Sequence, residues 1–497
     1  KDLSFTCNKS PARPAHPKVA RIGPEYPRPP PQYFLRNSNR MQRATASAAA
    51  FCRSAKGSTT FVRHSSTSFL TVRVPHGRRK QNKSLQRSMN SSSDVADAFT
   101  PSPDHALLRE TVRNFAEAEV DGRQAITFNK EERFNINLFR KLGDLGLLGV
   151  TVPEEYGGAG FDATAACIVH EELSASDPAF CLSFLAHSLL FANNLARNGT
   201  EEQKHKYLPA ACSGELIGGM CMSEPGAGTD VFGMRTKADK IDGGSKYVIN
   251  GSKMWITNGT LDGETTGDAF LVYAHTAEQG QKPGLSLFLV EKGTKGFRLG
   301  QQIKDKCGMR ASMTAELVFE ECIIPAENLV GVEGKAAACM MRNLEIERLG
   351  LAAMSCGIAR RCVELMVKYS GERKAFGEPL RNFGQIQRLI ADSYASMSAG
   401  RALMYQIAKG MDLDKEAVPG SNKRVETDAV KLFCGKMGKD AADAAMQVMG
   451  GYGYVGEYQV ERLWRDSKLL EIGGGTNESH HKNIVRDLSA PGRWVIA

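Results

Sequence analysis

Residues 340–358 read MMRNLEIERLGLAAMSCGI. At roughly 100° per residue on a helical wheel, Met340, Leu344, Glu347, Leu351, Met354 and Ile358 share one narrow sector, so the stretch predicts a helix with an apolar stripe. Glu347 lies inside that stripe, whereas Glu345 and Arg348 project elsewhere. Apolar surroundings disfavour the charged form of a carboxyl and raise its pKa, and a Glu tuned towards neutrality suits general-base work. The alternative is a Glu whose carboxylate reaches solvent or pairs with a cation.

Helical spacing extends on both sides of this stretch. One helix is expected from about 335 to 370, a second over 384–409 ending near Gly410, and a third over about 422–449, stopped by Gly450-Gly451. Shorter helices are expected around 457–470 and 477–488, and together these suggest a bundle. Upstream, the periodicity becomes strand-like at 246–250, 253–257, 269–275, 285–291 and 315–319. Asn250-Gly251 and Asn258-Gly259 are hairpin signals, so this middle region reads as a barrel or two packed sheets. Earlier still, Pro101-Ser102-Pro103-Asp104 announces a helix start, with helices expected at 136–148, 163–175, 182–198 and 201–212. The cluster Tyr156-Gly157-Gly158-Ala159-Gly160 follows no strand and reads as a tight turn rather than a phosphate loop. The expected organisation is α+β and multidomain: a leader over 1–97, an N-terminal helical domain over 98–217, a middle β-barrel-like domain over 218–330 and a C-terminal four-helix bundle over 331–497.

A chain of 497 residues can hold two or three cores. Its net charge of +9 is unevenly spread, with +16 over residues 1–93 and −7 over the remainder, which removes the main support for a nucleic-acid partner. Residues 41–93 contain no acidic residue and are rich in Ser, Arg and Ala, the composition of an organelle transit peptide; residues 1–40 read as upstream sequence or part of a longer leader. Disorder is expected for both. No apolar run is expected to reach the roughly 18–20 residues of a membrane span, which implies a soluble compartment. The twelve cysteines include no C-x-x-C, which argues against zinc-ribbon or thioredoxin-like chemistry and for buried reduced thiols.

Three constellations carry the chemistry. Met222-Ser223-Glu224-Pro225-Gly226-Ala227-Gly228-Thr229-Asp230 is a small-residue loop offering backbone N–H groups and hydroxyls. Lys253-Met254-Trp255-Ile256-Thr257-Asn258-Gly259 sets an aromatic ring and a hydroxyl on one face of a strand, although a buried core Trp is the simpler reading. Glu471-Ile472-Gly473-Gly474-Gly475-Thr476-Asn477-Glu478 is a glycine run entering a helix that Thr476 would cap, where backbone can approach a ligand closely. His480-His481 is no metal pair, because adjacent side chains on a helix point apart and no third ligand is evident.

In this order the motifs make the chain resemble the acyl-CoA dehydrogenase family over about residues 100–490. MSEPGAGTD and KMWITNG match the family's two flavin-loop signatures, and RKAFG and QVMGGYGY match its C-terminal ones. Most of the family carries its catalytic Glu just before the Gly-Thr of the glycine run, where this chain has Gly474. The isovaleryl-type branch places the base on the first long C-terminal helix, in a segment matched here by Leu344-Glu345-Ile346-Glu347-Arg348, so resemblance and helical stripe both select Glu347.

The resemblance implies an FAD cofactor, an acyl-CoA substrate, isovaleryl-CoA first, and electron-transferring flavoprotein as electron acceptor. It further implies a role in branched-chain amino-acid catabolism, a homotetramer and a mitochondrial matrix location. It puts Met220, Met222, Ser223, Gly228, Thr229, Trp255, Ile256 and Thr257 against the flavin ring and its substituents. Arg373, Phe376, Gln447, Val448, Met449, Gly450 and Gly451 would hold the adenosine end across a subunit interface, and Thr476, Asn477 and Glu478 would complete the cofactor site. Thr229, Glu345, Arg348, Gly474 and Gly475 would contact substrate, with an ion pair to Glu345 or Glu372 as the rival reading for Arg348. The pattern departs at Gly384, where many relatives have Gln, and at Ala338, where isovaleryl-type enzymes have Tyr; the smaller side chain would widen the acyl pocket. Rival functions are an acyl-CoA dehydrogenase or oxidase of other short-chain specificity, or a non-catalytic assembly relative.

Overall fold

A computed structural model describes residues 97–120, 123–277, 283–414 and 423–490. Apart from Asp97, the segment read as a leader lies outside the described residues. The first helices are α1 (Pro103–Phe115), α2 (Arg123–Glu131), α3 (Ile136–Asp144) and α4 (Ala163–Ser176). Next, α5 (Pro178–Leu185) runs through a π-helical segment, Ala186–Asn193, into α6 (Asn194–Asn198), and α7 spans Glu201–Ser213. The start of α1 is as the sequence predicts: Ser102 Oγ accepts the His105 N–H, and Pro103, which has no N–H to leave orphaned, takes the first turn.

One expectation fails in this domain. Pro178–Asn198 is long and apolar enough to cross a membrane, and its first charged residue is Arg197. The apolar window is 94% buried inside the protein, so its surroundings are core side chains. A helix apolar on all sides is what a fully enclosed position requires.

The middle domain comprises β1 (Gly218–Cys221), β2 (Lys237–Ile241), β3 (Lys246–Thr257), β4 (Ala269–Thr276), β5 (Gly284–Glu291), β6 (Phe297–Gln302), β7 (Thr314–Pro325) and β8 (Leu329–Val330). They form one sheet in the order β6-β7-β3-β2-β4-β5-β8, with β1 parallel to β4. In a flat sheet β6 and β4 would lie about 19 Å apart, yet the rings of Phe297 on β6 and Phe270 on β4 meet at 5.7 Å. The sheet therefore curls around its own apolar core, as a barrel-like unit must.

Neither Asn-Gly pair makes a hairpin. β3 runs straight through Asn250-Gly251, with a register shift between Ile249 and Gly251, and its antiparallel partners are β2 and β7. Gly251 is needed because a Cβ there would overlap Thr236. Asn258, at φ 60°, closes the strand, and its Nδ2 donates to the Ser183 carbonyl (3.0 Å) and the Gly218 carbonyl (3.1 Å), tying the sheet to the helical domain. Long-range hydrogen bonds thus override the local turn preference.

The C-terminal helices are α8 (Ala336–Glu372), α9 (Gly384–Lys409), α10 (Arg424–Met449), α11 (Gln459–Ser467) and α12 (Asn477–Leu488), with a small hairpin of β9 (Lys374–Ala375) and β10 (Glu378–Pro379) after α8. α8 packs between α4 and α10 through small residues. A Cβ on Gly357 would overlap the Glu171 carbonyl oxygen and Ser174 Oγ of α4, and one on Gly438 of α10 would stand 3.0 Å from the Ser355 carbonyl oxygen. Buried charge reinforces the seam. Glu172 of α4 receives Arg360 of α8 (2.7 Å), while Glu171 receives Arg401 (2.6 Å) and Tyr405 Oη (2.6 Å) of α9 and Arg109 (3.1 Å) of α1.

Gly→Ala inside a helix ordinarily adds about 1 kcal/mol of stability. At Gly357 the overlap is with backbone, so Gly357→Ala is expected to lower stability by roughly 1–3 kcal/mol. Chemical denaturation should show a lower midpoint; a higher one would mean that α4 and α8 can separate freely.

Candidate active site

Glu347 is only 8% exposed, and its Oε2 has no hydrogen-bond partner among the described residues. Loss of hydration pushes its pKa up to about 7, against weaker opposing attraction from Arg348 and Lys431. Glu345 is also raised to about 7, chiefly by burial, with Arg348 and Arg424 opposing. Titration alone therefore does not choose between the two carboxyls. Position does: Glu345 lines a cavity of about 240 Å³ with Arg197, Arg342, Asn343 and Asp412, whereas Glu347 faces the glycine run.

Gly474 and Gly475 have φ of 65° and 101°, the left-handed region that glycine enters without strain. A Cβ on Gly474 would overlap Leu351 and stand 3.6 Å from Glu347 Cδ, so glycine is what lets this backbone come up to the carboxyl. Thr476 caps α12 by accepting the Ser479 N–H (3.2 Å). Asn477 Nδ2 donates to Glu471 (3.2 Å), while its Oδ1 is buried without a partner among the described residues. Lys431 Nζ donates to the Gly475 carbonyl at 2.5 Å and is itself buried.

Arg348 is buried too, and its ion pair is neither Glu345 nor Glu372. Its Nε faces Asp428 at 3.2 Å, and Asp428 accepts the His480 Nδ1–H at 2.6 Å. Asp428 and Lys431 escaped the sequence reading, in which His480 figured only as a rejected metal ligand. The signal for Lys431 resembled that for Glu347, a charge beside apolar Val430 and Cys434 on a predicted helix.

The small-residue loop and the Trp-bearing strand are locked together. Fully buried Lys253 donates to Glu224 (2.9 Å) and to the Met222 carbonyl (3.2 Å), and the Met254 N–H donates to the Ser223 carbonyl (2.9 Å). Burial tends to raise the Glu224 pKa, but the Arg235 N–H, Lys253 and Thr236 together hold it below its ordinary value. On this frame Trp255 is 61% exposed at φ 65°, beside buried Ile256 and half-buried Thr257. The buried-Trp alternative is thereby overturned. A large ring held outward on a sparsely populated backbone conformation marks a contact surface. Gly228 and Thr229 are exposed at the loop tip, and Met220 on β1 is buried with its Sδ 3.8 Å from the amides of Asn194 and Asn343.

The remaining residues are not brought to this region. Arg373 follows the end of α8, about 39 Å along the helix from Glu347, with its guanidinium 6.0 Å from the Tyr452 ring centre. Phe376 protrudes at 96% exposure. Gln447, Gly450 and Gly451 are exposed, while Val448 and Met449 are buried in the end of α10. Glu478, by contrast, adjoins the region, next to Asn477 and exposed in the first turn of α12.

These features coincide with comparisons to known proteins. Residues 102–215, 219–322 and 335–489 match the N-terminal, middle and C-terminal domain models of acyl-CoA dehydrogenase. The chain belongs to the acyl-CoA dehydrogenase family, FAD-dependent oxidoreductases that act on acyl-CoA thioesters. It is 42% identical over 383 residues to a mitochondrial isovaleryl-CoA dehydrogenase of Oryza sativa subsp. japonica, covering 77% of this chain and 90% of that one. It is 38% identical over 418 residues to a mitochondrial 2-methylacyl-CoA dehydrogenase of Solanum tuberosum, covering 82% and 97%. Its structure resembles a glutaryl-CoA dehydrogenase from Mycobacterium smegmatis in complex with FADH2, with TM-score 0.71 and 29% identity over 78% of this chain and 95% of the other.

The residues present fit a flavin dinucleotide. A Cβ on Gly226, Gly228, Gly450 or Gly451 would meet open space, Trp255 offers a free ring, and the orphaned Asn477 Oδ1 and Glu347 Oε2 lack partners that a bound cofactor and substrate could provide.

The raised pKa carries a stability consequence. Between pH 4.5, the ordinary value, and about 7, the folded protein keeps a proton on Glu347 that the unfolded chain releases, so this group makes stability fall as pH rises through that window. Glu347→Gln removes the penalty. The variant should match wild type near pH 4 and exceed it by about 3 kcal/mol above pH 7. Denaturant titrations at the two pH values check this, and an equal difference at both would refute it.

Proposed function

We propose that this acyl-CoA dehydrogenase oxidises a short branched-chain acyl-CoA, isovaleryl-CoA first, to its 2,3-enoyl thioester, with Glu347 as the base. The observation that carries the reading is a carboxyl buried on α8, its pKa pushed up to about 7, facing the half-buried backbone of Gly474. FAD, when bound, supplies the acceptor for the hydride that leaves the β carbon. Every proton-handling duty belongs to the chain. Glu347 takes the α proton, and at neutral pH about half of the molecules hold it ionised and ready. An α C–H is a weak acid, so negative charge developing on the thioester oxygen needs a donor, and the Gly474 N–H is the backbone group assigned to it. The apolar wall around Glu347, formed in part by Leu344 and Leu351, excludes water and keeps the carboxylate poorly solvated and basic.

Met220, Met222, Ser223, Gly228, Thr229 and Trp255 to Thr257 are assigned to the flavin ring end, with the Lys253–Glu224 pair fixing their spacing. Thr476, Asn477 and Glu478 complete that site, and Thr229, Glu345, Arg348 and Gly475 are assigned to substrate. The position of Arg348 makes its role indirect unless binding opens the Asp428 pair. Arg373, Phe376 and Gln447 to Gly451 serve the adenosine end from a neighbouring subunit of a homotetramer. Electron-transferring flavoprotein is the proposed acceptor, the mitochondrial matrix the proposed location and branched-chain amino-acid catabolism the proposed pathway. The domain limits of the sequence reading, 98–217, 218–330 and 331–497, are retained as part of this proposal. Half-buried Ala338 leaves room near the start of α8, so 2-methyl-branched thioesters are the next candidates.

Glu347→Gln should lower turnover by about 10²–10⁴-fold with bound flavin absorbance unchanged. With wild type, isovaleryl-, isobutyryl- and 2-methylbutyryl-CoA are expected to bleach the flavin anaerobically faster than straight-chain thioesters. Failure of all of them to bleach it would overturn the reading, and rapid reoxidation by oxygen in place of electron-transferring flavoprotein would indicate an oxidase.

A further inference from the structure

A group of buried ionisable side chains that includes Arg348 joins α8, α10 and α12 behind the glycine run. Arg348 is 4% exposed, Lys431 1%, and Asp428 and His480 are fully buried. Arg348 faces Asp428 as an ion pair and His480 hydrogen-bonds to it, while Arg348 Nη1, Asp428 Oδ2 and His480 Nε2 are buried without a hydrogen-bond partner among the described residues. Burial, opposed by the Asp428 hydrogen bond, holds the His480 pKa below its ordinary value, so the ring is neutral near pH 7. Asp428 and Arg348 then balance each other, which leaves the Lys431 cation to be balanced. Its single hydrogen bond among the described residues is to the Gly475 carbonyl, which carries no charge. Of the carboxylates that face it besides Asp428, Glu471 is bound to Lys468 (2.7 Å), leaving Glu347.

We propose that Lys431 is a positioning residue: its ammonium holds the Gly475 carbonyl so that the 474–475 backbone stays against Glu347, and its charge keeps Glu347 in the carboxylate form needed to accept a proton. This rests on Glu347 being the base. The groups facing Glu347 are Arg348 on its own helix, Lys431 on α10 and the Tyr273 hydroxyl on β4, which burial keeps protonated. Arg348 exerts the larger attraction on Glu347 but is shared with Asp428, which its Nε faces at 3.2 Å; Lys431 is the cation that reaches Glu347 from a neighbouring helix and also holds the glycine run. Attraction between the two is mutual: burial lowers the Lys431 pKa to about 8, and Glu347 is the largest influence opposing that fall. Near pH 7 the lysine is still mainly charged. Removing that attraction should make Glu347 harder to ionise, by about one pH unit.

The test compares FAD-loaded full-length wild type, K431M, K431Q and K431R, following kcat/KM for isovaleryl-CoA from pH 5.5 to 9.5. Its acid limb reports the base of the free enzyme. In parallel, the Glu347 carboxyl band is titrated by infrared difference spectroscopy without substrate, with E347Q identifying the band. K431M and K431Q should move both the limb and the band titration upwards by about a unit. Activity would then fall about fivefold at pH 7 and recover by pH 9, whereas K431R should leave both near wild type. If K431M does not accumulate folded, K431Q, which keeps a donor for the Gly475 carbonyl without the charge, decides alone. A uniform loss at every pH with the limb and band unmoved would overturn the proposal and leave Lys431 a structural residue. An active E347Q would instead remove the underlying reading of Glu347, so the two failures are distinguishable.

Discussion

The orientation of α8 about its own axis is the constraint on which the site depends. Gly357 presses that helix against α4, Ser355 meets Gly438 of α10, and a Cβ on Gly350 would stand 3.0 Å from Leu189. These contacts lie on different sides of the helix, so it cannot turn without driving backbone into backbone. Glu347 stands ten residues, about 15 Å, before Gly357 on the same rigid rod. A carboxyl facing apolar surface would gain by swinging to water, and a loosely packed helix would let it. Close packing far from Glu347 therefore keeps an unfavourable burial in place.

Two buried carboxyls with opposite fates show how the fold uses this rigidity. Glu171 is fully buried, yet Arg401, Arg109, Arg360 and the Tyr405 hydroxyl outweigh its desolvation and hold its pKa below the ordinary value. Glu347 meets a similar loss of hydration with Arg348 already engaged by Asp428 and with Lys431 directed at a carbonyl, and its pKa ends near 7. The difference lies in how many charged donors point at the oxygens, not in depth. The first arrangement ties α1, α4, α8 and α9 together, and breaking such a pair typically costs 3–5 kcal/mol. The second leaves a group that exchanges a proton near neutrality, so structural and reactive acids are separated by their partners.

Much of this was legible in the chain. The long helices announce themselves by sustained periodicity and glycine stops, and Glu347 stands out because a helical stripe needs only local spacing to read. Besides β1, β2 and β8, which no local signal announced, the β features that failed to read are long-range in origin. The Asn-Gly pairs follow a strand and a domain contact, because Thr236, Ser183 and Gly218 decide their geometry. β6, FRLGQQ, has exposed and half-buried residues beyond Phe297, so it shows little alternation, and β7 defines it instead. The exposure of Trp255 depends on the Lys253–Glu224 lock, whose members are 29 residues apart. Lys431 escaped because a single lysine in an amphipathic helix is ordinarily assigned to a solvated face.

The extent of α8 also separates what one chain can complete from what it cannot. Glu347 and the 474–475 backbone meet at one end, while Arg373 and the exposed Phe376 follow the other, about 39 Å away. A helix of 37 residues has no means of bending those ends together, and its two packed faces forbid a kink between them. If both groups serve one type of cofactor, each chain would give its base to one copy and its Arg373 end to another. That division is the one the homotetramer proposed above would require. It would also explain why an aromatic side chain that is 96% exposed, with a ring contact to Phe383 at 6.1 Å, sits on the hairpin of β9 and β10, with Phe376 at φ 51° in the turn between them. Backbone strain of that kind is retained where a side chain must be presented outward, and in the homotetramer proposed above the surface it would meet belongs to a second copy.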